Sequence, residues 1–257
     1  MKKIVLSFDT EPDLHSGKYL GITEGLAEIK KILDNNNIKA TFFVTCDCIE
    51  KYPKIFEDII KQGHEIALHG YRHERFDSIS RVEKEEQIKK SILCFKKHLG
   101  INPKGFRAPQ HSIDKETLNL LEKYNFKYDS SYHPLNFLQL IFFPTKIKLW
   151  SRLFFSPIQK YKIRKNLYEL PPSSLFIPAA SLIFRVFPLF LIKIYFNILK
   201  IFNQNIIVYF HSWDFIKIPK SRLDRRFPHT RVISNLDYLI KIIKNKGAFV
   251  RAEDLID

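Results

Sequence analysis

Five polar clusters, each set just past a short apolar run, constrain this chain more than any other feature: Asp9–Asp13, His69–His73, Arg107–His111, Asp129–Ser131 and His211–Asp214. The runs before them read as strands over residues 3–9, 64–68, 104–107, 126–128 and 205–210, with a further one at Lys39–Thr45, because β-branched and aromatic residues fill them. Helical patterns lie between. One is capped by Thr23 and buries Leu26, Ile29, Ile32 and Leu33; the next is opened by Pro53 and stopped by Gly63. A charged helix runs from Ser80 to Leu99 with Val82, Ile88, Ile92, Phe95 and Leu99 inward, and Gly100 closes it. Asp114 caps another, Ser234–Lys244 forms the last, and Ala248–Val250 is the final strand. Strand–helix alternation repeated about seven times predicts an α/β fold with a parallel sheet, at this length a barrel. In such a barrel the C-terminal ends of the strands form the rim that carries chemistry, so five clusters there predict one site.

At 257 residues the chain is long enough for one large domain, and no repeat, Gly/Ser linker or low-complexity tract divides residues 1–257. Within that domain, residues 133–203 read as a long insertion, apolar and basic. From Ser131 to Phe210 ten Lys/Arg face a single acid, Glu169, and 18 of the 36 aromatic residues fall there. Such a surface suits an anionic membrane face. Ala180–Phe202 fits an amphipathic helix kinked at Pro188. No charge-free apolar run reaches the ~18 residues of a spanning helix. The first strand begins at once, without an apolar leader, and Cys46, Cys48 and Cys94 make an odd set with no zinc-knuckle spacing. These features predict a cytoplasmic protein, peripheral at the inner membrane face. Nucleic acid is not an expected partner, because the basic residues are interleaved with aliphatic runs and no recognition module appears.

His69 and His73, four residues apart just after a strand, have the spacing to converge on one metal ion. An acid from Asp9–Asp13 would complete a set of two imidazoles and one carboxylate, which leaves metal positions open for water and substrate. A free carboxylate nearby can take a proton from water, and His211 is placed to protonate a leaving amine. Arg107 can hold the base carboxylate. Residues of these types in this order predict a metal-dependent amide hydrolase.

Ser7-Phe8-Asp9-Thr10-Glu11, His69-Gly-Tyr-Arg-His73, Gly105-Phe106-Arg107-Ala108-Pro109 and Tyr209-Phe210-His211-Ser212-Trp213-Asp214 resemble, in order, four motifs of the polysaccharide deacetylases, the NodB-homology group of carbohydrate esterase family four. The resemblance covers residues 3–130 and 166–256. It implies a distorted (β/α)7 barrel, TIM-like, with Asp9 as general base, His69 and His73 as ligands of zinc or another divalent ion, Arg107 tuning the base, His211 as general acid and Asp214 as its acidic partner. Glu169-Leu170-Pro171 resembles a further, weaker motif. One departure stands out: many members carry two adjacent aspartates in the first motif, the second of them on the metal, and here that position is Thr10. By analogy with branches that place the acid one residue later, Glu11 is the first choice for third ligand and Asp13 the second.

The implied function is removal of an N-acetyl or similar acyl group from an amino-sugar glycan, polyprenyl-linked at the membrane. Two rivals remain in view: a metal-independent hydrolase of cyclic amides or ureides, which requires Glu11 to point away from the histidines, and a non-catalytic glycan- or lipid-binding module.

Overall fold

A computed structural model describes residues 1–13, 16–134, 155–218, 222–244 and 247–256. Its centre is β1 (Lys2–Thr10), whose apolar run Ile4-Val5-Leu6 is buried on both faces, as in a parallel sheet covered by helices. The strands that follow are β2 (Thr41–Val44), β3 (Glu65–Leu68), β4 (Gly105–Phe106), β5 (Tyr128–Asp129), β6 (Tyr161–Lys162), β7 (Tyr168–Glu169), β8 (Ser174–Leu175), β9 (Ile177–Pro178), β10 (Asn205–His211) and β11 (Gly247–Phe249). In space the main sheet runs β10-β1-β2-β3-β4-β5-β7-β6, with β11 beside the start of β1. From β10 to β7 every neighbour is parallel. Only β6 runs antiparallel, against β7.

The sheet curls. Its open side, between β7 and β10, is spanned by residues 173–180: Ser173 N donates to Ile207 O and Tyr209 N to Ala179 O, while Ala180 bridges Tyr209. The architecture is therefore α/β with a curled, mostly parallel sheet, consistent with the distorted (β/α)7 barrel that the resemblance implies. The region expected as an insertion is, in its described part, built into this wall. Tyr168–Glu169 pairs with β5 and residues 173–180 lie along β10, so they form part of the sheet's rim and not a loop upon it. Residues 135–154 lie outside the described ones.

Nine helices among the described residues surround the sheet: α1 (Leu26–Asn36), α2 (Cys46–Lys51), α3 (Pro53–Lys61), α4 (Arg81–Leu99), α5 (Lys115–Lys123), α6 (Ser181–Val186), α7 (Leu189–Phe202), α8 (Arg222–Arg226) and α9 (Thr230–Ile243). The caps are largely those the sequence predicts. Ser80 and Glu83 form a reciprocal capping box on α4, Gly100 ends it at φ 68°, and Asp114 accepts from Thr117 N at the start of α5. Three local expectations fail. Thr23 caps nothing, because a π-turn over Gly21–Gly25 runs directly into α1. Val82 is exposed, lying on the solvent side of the first turn of α4. The helix expected over 180–202 is two helices, since Pro188, with no N–H to give, sits extended between α6 and α7.

Alternation along β1 sorts its side chains. Ile4, Leu6 and Phe8 face the helices, within the large outer core. Val5 faces inward and meets Phe43, Ala67, Tyr128, Leu170 and Ile207 in a small inner core. Ser7, Asp9 and Glu11 continue the inward series above it, and this is where the site begins.

Candidate metal centre and its flanking acid and base

Glu11 leaves the end of β1 on the inward side, and its Oε2 lies 2.6 Å from His73 Nε2 and 3.3 Å from His69 Nε2. The strand's period of two explains why Glu11, and neither neighbour, comes here. Thr10 points the other way and donates to Phe8 O. Asp13, the second-choice ligand, is not brought to the histidines: its two oxygens accept from Leu20 N and Gly21 N at 2.9 and 2.8 Å and fix the chain that follows.

His69 continues β3, and its Nδ1 lies 2.8 Å from Arg107 O. A carbonyl can only accept, so Nδ1 carries the hydrogen and Nε2 presents its lone pair toward Glu11. Gly70 follows at φ 87°, a conformation that turns the chain and lets His73 face back across the loop. The start of α2 braces that loop from behind, with Cys46 N donating to Gly70 O and Asp47 N to Tyr71 O. This short helix escaped sequence reading.

Glu11, His69 and His73 offer three ligand atoms within 4.8 Å of one another. Glu11 Oε2 is buried and has no hydrogen-bond donor apart from the two imidazoles it faces. A buried carboxylate oxygen facing two imidazole Nε2 atoms fits a divalent cation. Burial alone would raise the Glu11 carboxyl, but bonding to His69 and His73 holds it well below the usual carboxylate range.

Asp9 sits one inward position earlier on β1, with Oδ1 2.6 Å from Arg107 Nη1. Arg107 is fully buried. Its remaining donors go to Ser7 Oγ, Ser130 O and Ser130 Oγ at 2.9–3.0 Å, and its guanidinium lies 4.0 Å above the Phe43 ring. A guanidinium this deep is sustained only by a charged partner and filled hydrogen bonds. Burial would push Asp9 up; the charges of Arg107, His69 and His211 override it and keep the carboxyl below its ordinary value.

On the opposite wall, β10 ends in His211. Asp214, in the 3-10 turn Ser212–Phe215, accepts from His211 N at 2.8 Å and stands 3.3 Å from His211 Nδ1. Burial lowers an imidazole, but the bond to Asp214 and the charges of Asp214, Glu11 and Asp9 prevail and lift His211 to about 9. Its ring stacks on Trp213 at 4.4 Å, and Trp213 Nε1 reaches Glu11 Oε1 at 3.4 Å. Trp213 thus spans Glu11 and the candidate acid.

Other contributors surround these groups, and of them the sequence marked only Asp129 and Glu169. Arg185, from α6, donates to the backbone oxygen of Asp214 at 3.0 Å and so backs the turn that carries it. Asp129 and Glu169, facing each other across β5 and β7, are both buried; burial pushes Asp129 up to about 6 against the bond it shares with Glu169, and burial together with the Asp129 charge raises Glu169 well above its ordinary value. His133 is buried and stacks on His111 at 4.2 Å. None of these long-range contacts has a local spacing that could announce it. His64 plays the structural part expected of it, accepting from Ala40 N.

The sequence profile of the polysaccharide deacetylases matches residues 1–128. The peptidoglycan deacetylase-like protein FGM2 of Gibberella zeae is 36% identical over 121 residues, which are 46% of this chain and 36% of that protein. The peptidoglycan-N-acetylglucosamine deacetylase of Bacillus cereus is 32% identical over 124 residues, 48% of this chain and 42% of that one. The chain spans about two fifths of the length of the curated relatives it matches. Among solved structures, PuuE allantoinase superposes with a TM-score of 0.72 over 99% of this chain and 88% of its own, at 15% identity. That likeness is one of fold, and a fold leaves the substrate to be argued from the site.

Proposed function

Because the chain belongs to the polysaccharide deacetylase family, whose members hydrolyse carbon–nitrogen bonds other than peptide bonds, we propose that it removes an N-acetyl or similar acyl group from an amino sugar. The observation that carries this reading is Glu11 Oε2 held between the Nε2 atoms of His69 and His73, flanked by Asp9–Arg107 on one side and His211–Asp214 on the other. The same inward turn of Glu11 favours the metal-dependent reading over a metal-free ureide hydrolase.

Glu11, His69 and His73 would hold the divalent ion, and two imidazoles with one carboxylate suit zinc. Bound there, the ion supplies a Lewis acid for the acyl carbonyl and acidifies water. The chain's own groups do the proton work. Asp9, kept ionised by Arg107, takes a proton from the attacking water. His211, kept protonated by Asp214, gives one to the departing sugar nitrogen. Trp213 orients Glu11 through its indole N–H and buttresses His211 through its ring. The net change is amide plus water to amine plus carboxylate, and neither Asp9 nor His211 need move far from where it lies.

The amino sugar we propose is one carried on a polyprenyl lipid, presented at an anionic membrane surface by a chain acting as a single domain. Support comes from the uneven charge of the chain: between Tyr132 and Phe210 the only acid is Glu169, and it is buried.

Purified protein is expected to release acetate from N-acetylglucosaminyl substrates. A chelator should abolish the release and added zinc restore it, while His69→Ala should lower kcat/KM by about a thousandfold or more, with bound metal counted by atomic absorption. Acetate release that persists in chelator would remove the metal from this reading. Turnover of ureides but not of amino sugars would overturn the substrate class.

A further inference from the structure

No helix among the described residues is long and apolar enough to cross a membrane, yet α7 carries an apolar face that none of the described residues covers. Phe190, Leu191, Ile194, Ile198, Ile201 and Phe202 recur at helical spacing and occupy about 120° of the helix. Four of them are half exposed or more: Phe190 61%, Ile194 50%, Ile201 75% and Phe202 54%. The opposite arc, Ile192, Phe196 and Leu199, is buried against the fold. An isolated exposed leucine needs no explanation, but a contiguous stripe of this kind marks an interaction site.

What lies on each flank of the stripe indicates the partner. On one side Lys193 and Lys200 face α9 across a groove of about 270 Å³, with a floor of Phe196, Leu239 and Ile243 and the Tyr238 hydroxyl at its edge. Lys193 Nζ is 3.2 Å from that hydroxyl, and no acidic side chain lines the groove. On the other side the β8–β9 turn is pinned to the helix, since Tyr195 Oη donates to Ile177 O and accepts from Leu175 N at 3.3 Å. That turn holds Phe176 at φ 64° and 59% exposed. A bulky residue in the left-handed region is strained, and such strain is found where a site uses it. α7 itself has no acid along its length.

From this we infer that α7 and Phe176 dock in the headgroup layer of an anionic phospholipid bilayer, with the stripe toward the acyl chains and Lys193 and Lys200 among the phosphates. A helix with one apolar face, flanking lysines and no acid has the character of an interfacial helix. A second copy of this chain fits less well, because a two-fold contact would bring two basic flanks together with no acid on either helix to pair them. α7 feeds directly into β10, the strand that ends in His211. This surface deepens the lipid-linked part of the reading above. It uses no step of the chemistry, so the two can fail separately.

The test is sedimentation of the full chain with vesicles of phosphatidylcholine alone or of phosphatidylcholine and phosphatidylglycerol in a ratio of two to one. The chain should bind the anionic vesicles, about tenfold or more weaker without phosphatidylglycerol, and less tightly as salt rises. Ile194→Glu with Ile198→Glu should reduce binding by about tenfold or more, and Lys193→Glu with Lys200→Glu likewise. Both double variants should keep the native circular dichroism melt and the native rate of acetate release from a soluble N-acetylated oligosaccharide. The proposal is overturned if the native chain stays in the supernatant with anionic vesicles at low salt, or if folded variants bind as well as native. It is equally overturned if the chain is a lipid-independent dimer that the isoleucine variants split. Loss of acetate release in every form, with vesicle binding intact, would instead sink the deacetylase reading alone.

Discussion

Charge at a single side chain decides the pH range over which His211 can act. Its imidazole is partly buried, which by itself would lower its pKa below the ordinary histidine value; Asp214 at 3.3 Å, with Glu11 and Asp9 beyond, reverses this and holds the proton to about pH 9. A general acid works only while protonated, so activity should persist through neutrality and fall as pH rises through the imidazole's pKa. Asp214→Asn keeps an acceptor oxygen but removes the charge, and the alkaline limb of kcat/KM should move to lower pH. An unmoved limb in the pH–rate profile of that variant would mean that another group sets it. The same scale shows what was legible. Asp9, His69, His73, Arg107 and His211 stand in ordered motifs, and the structure places them together. The choice among Thr10, Glu11 and Asp13 was open in the sequence. It turns on where β1 ends and which way each side chain faces, and on Asp13 being drawn to the amides of Leu20 and Gly21.

At the scale of elements, the turn that carries Asp214 is wedged against the start of α1. A Cβ on Gly25 would lie 2.2 Å from Ser212 O, so the turn Ser212–Phe215 and the helix could not both stay in place. In a free helix Gly→Ala stabilises by about 0.5–1 kcal/mol. Here Gly25→Ala should destabilise by about 1–3 kcal/mol in urea unfolding, and kcat should fall as His211 and Asp214 shift. A more stable Gly25→Ala protein of full activity would show that the wedge is slack. Elements with strong periodicity or clear caps were readable from the chain, α4 above all, with Ser80 at one end and Gly100 at the other. Those missed or misjudged owe their form to distant partners. β4, β5 and β7 are two residues each and exist only by pairing. α2 is six residues long, with Asp and Glu but little apolar pattern, and is held by the histidine loop it braces. The insertion was misjudged for the same reason: the bonds from Ser173 and Ala179 to β10 span more than twenty-five residues and leave no mark in local spacing.

For the molecule as a whole, the inward-facing acids set how stability responds to pH. Asp129 and Glu169 have carboxyls pushed up by burial, and the Asp129 charge raises Glu169 further. A group whose folded pKa is raised binds more protons folded than unfolded, so its contribution is present at low pH and lost as pH rises past the unfolded carboxylate value. The urea midpoint should therefore decline from about pH 4 toward neutrality by this route. Asp129→Asn, which takes away one of the two charges, should flatten that decline; an equal slope in the variant would locate the effect elsewhere. A last consequence concerns the order in which the chain is made. All three ligands fall within residues 11–73, while β1 pairs along one edge, from Lys3 to Asp9, with Asn205–His211 alone. Until a ribosome has delivered that partner, the nascent chain holds a row of unpaired backbone amides beside an apolar run. Any product truncated before residue 205 would keep this sticky edge permanently and should be found among aggregates and chaperone clients, not among soluble fragments.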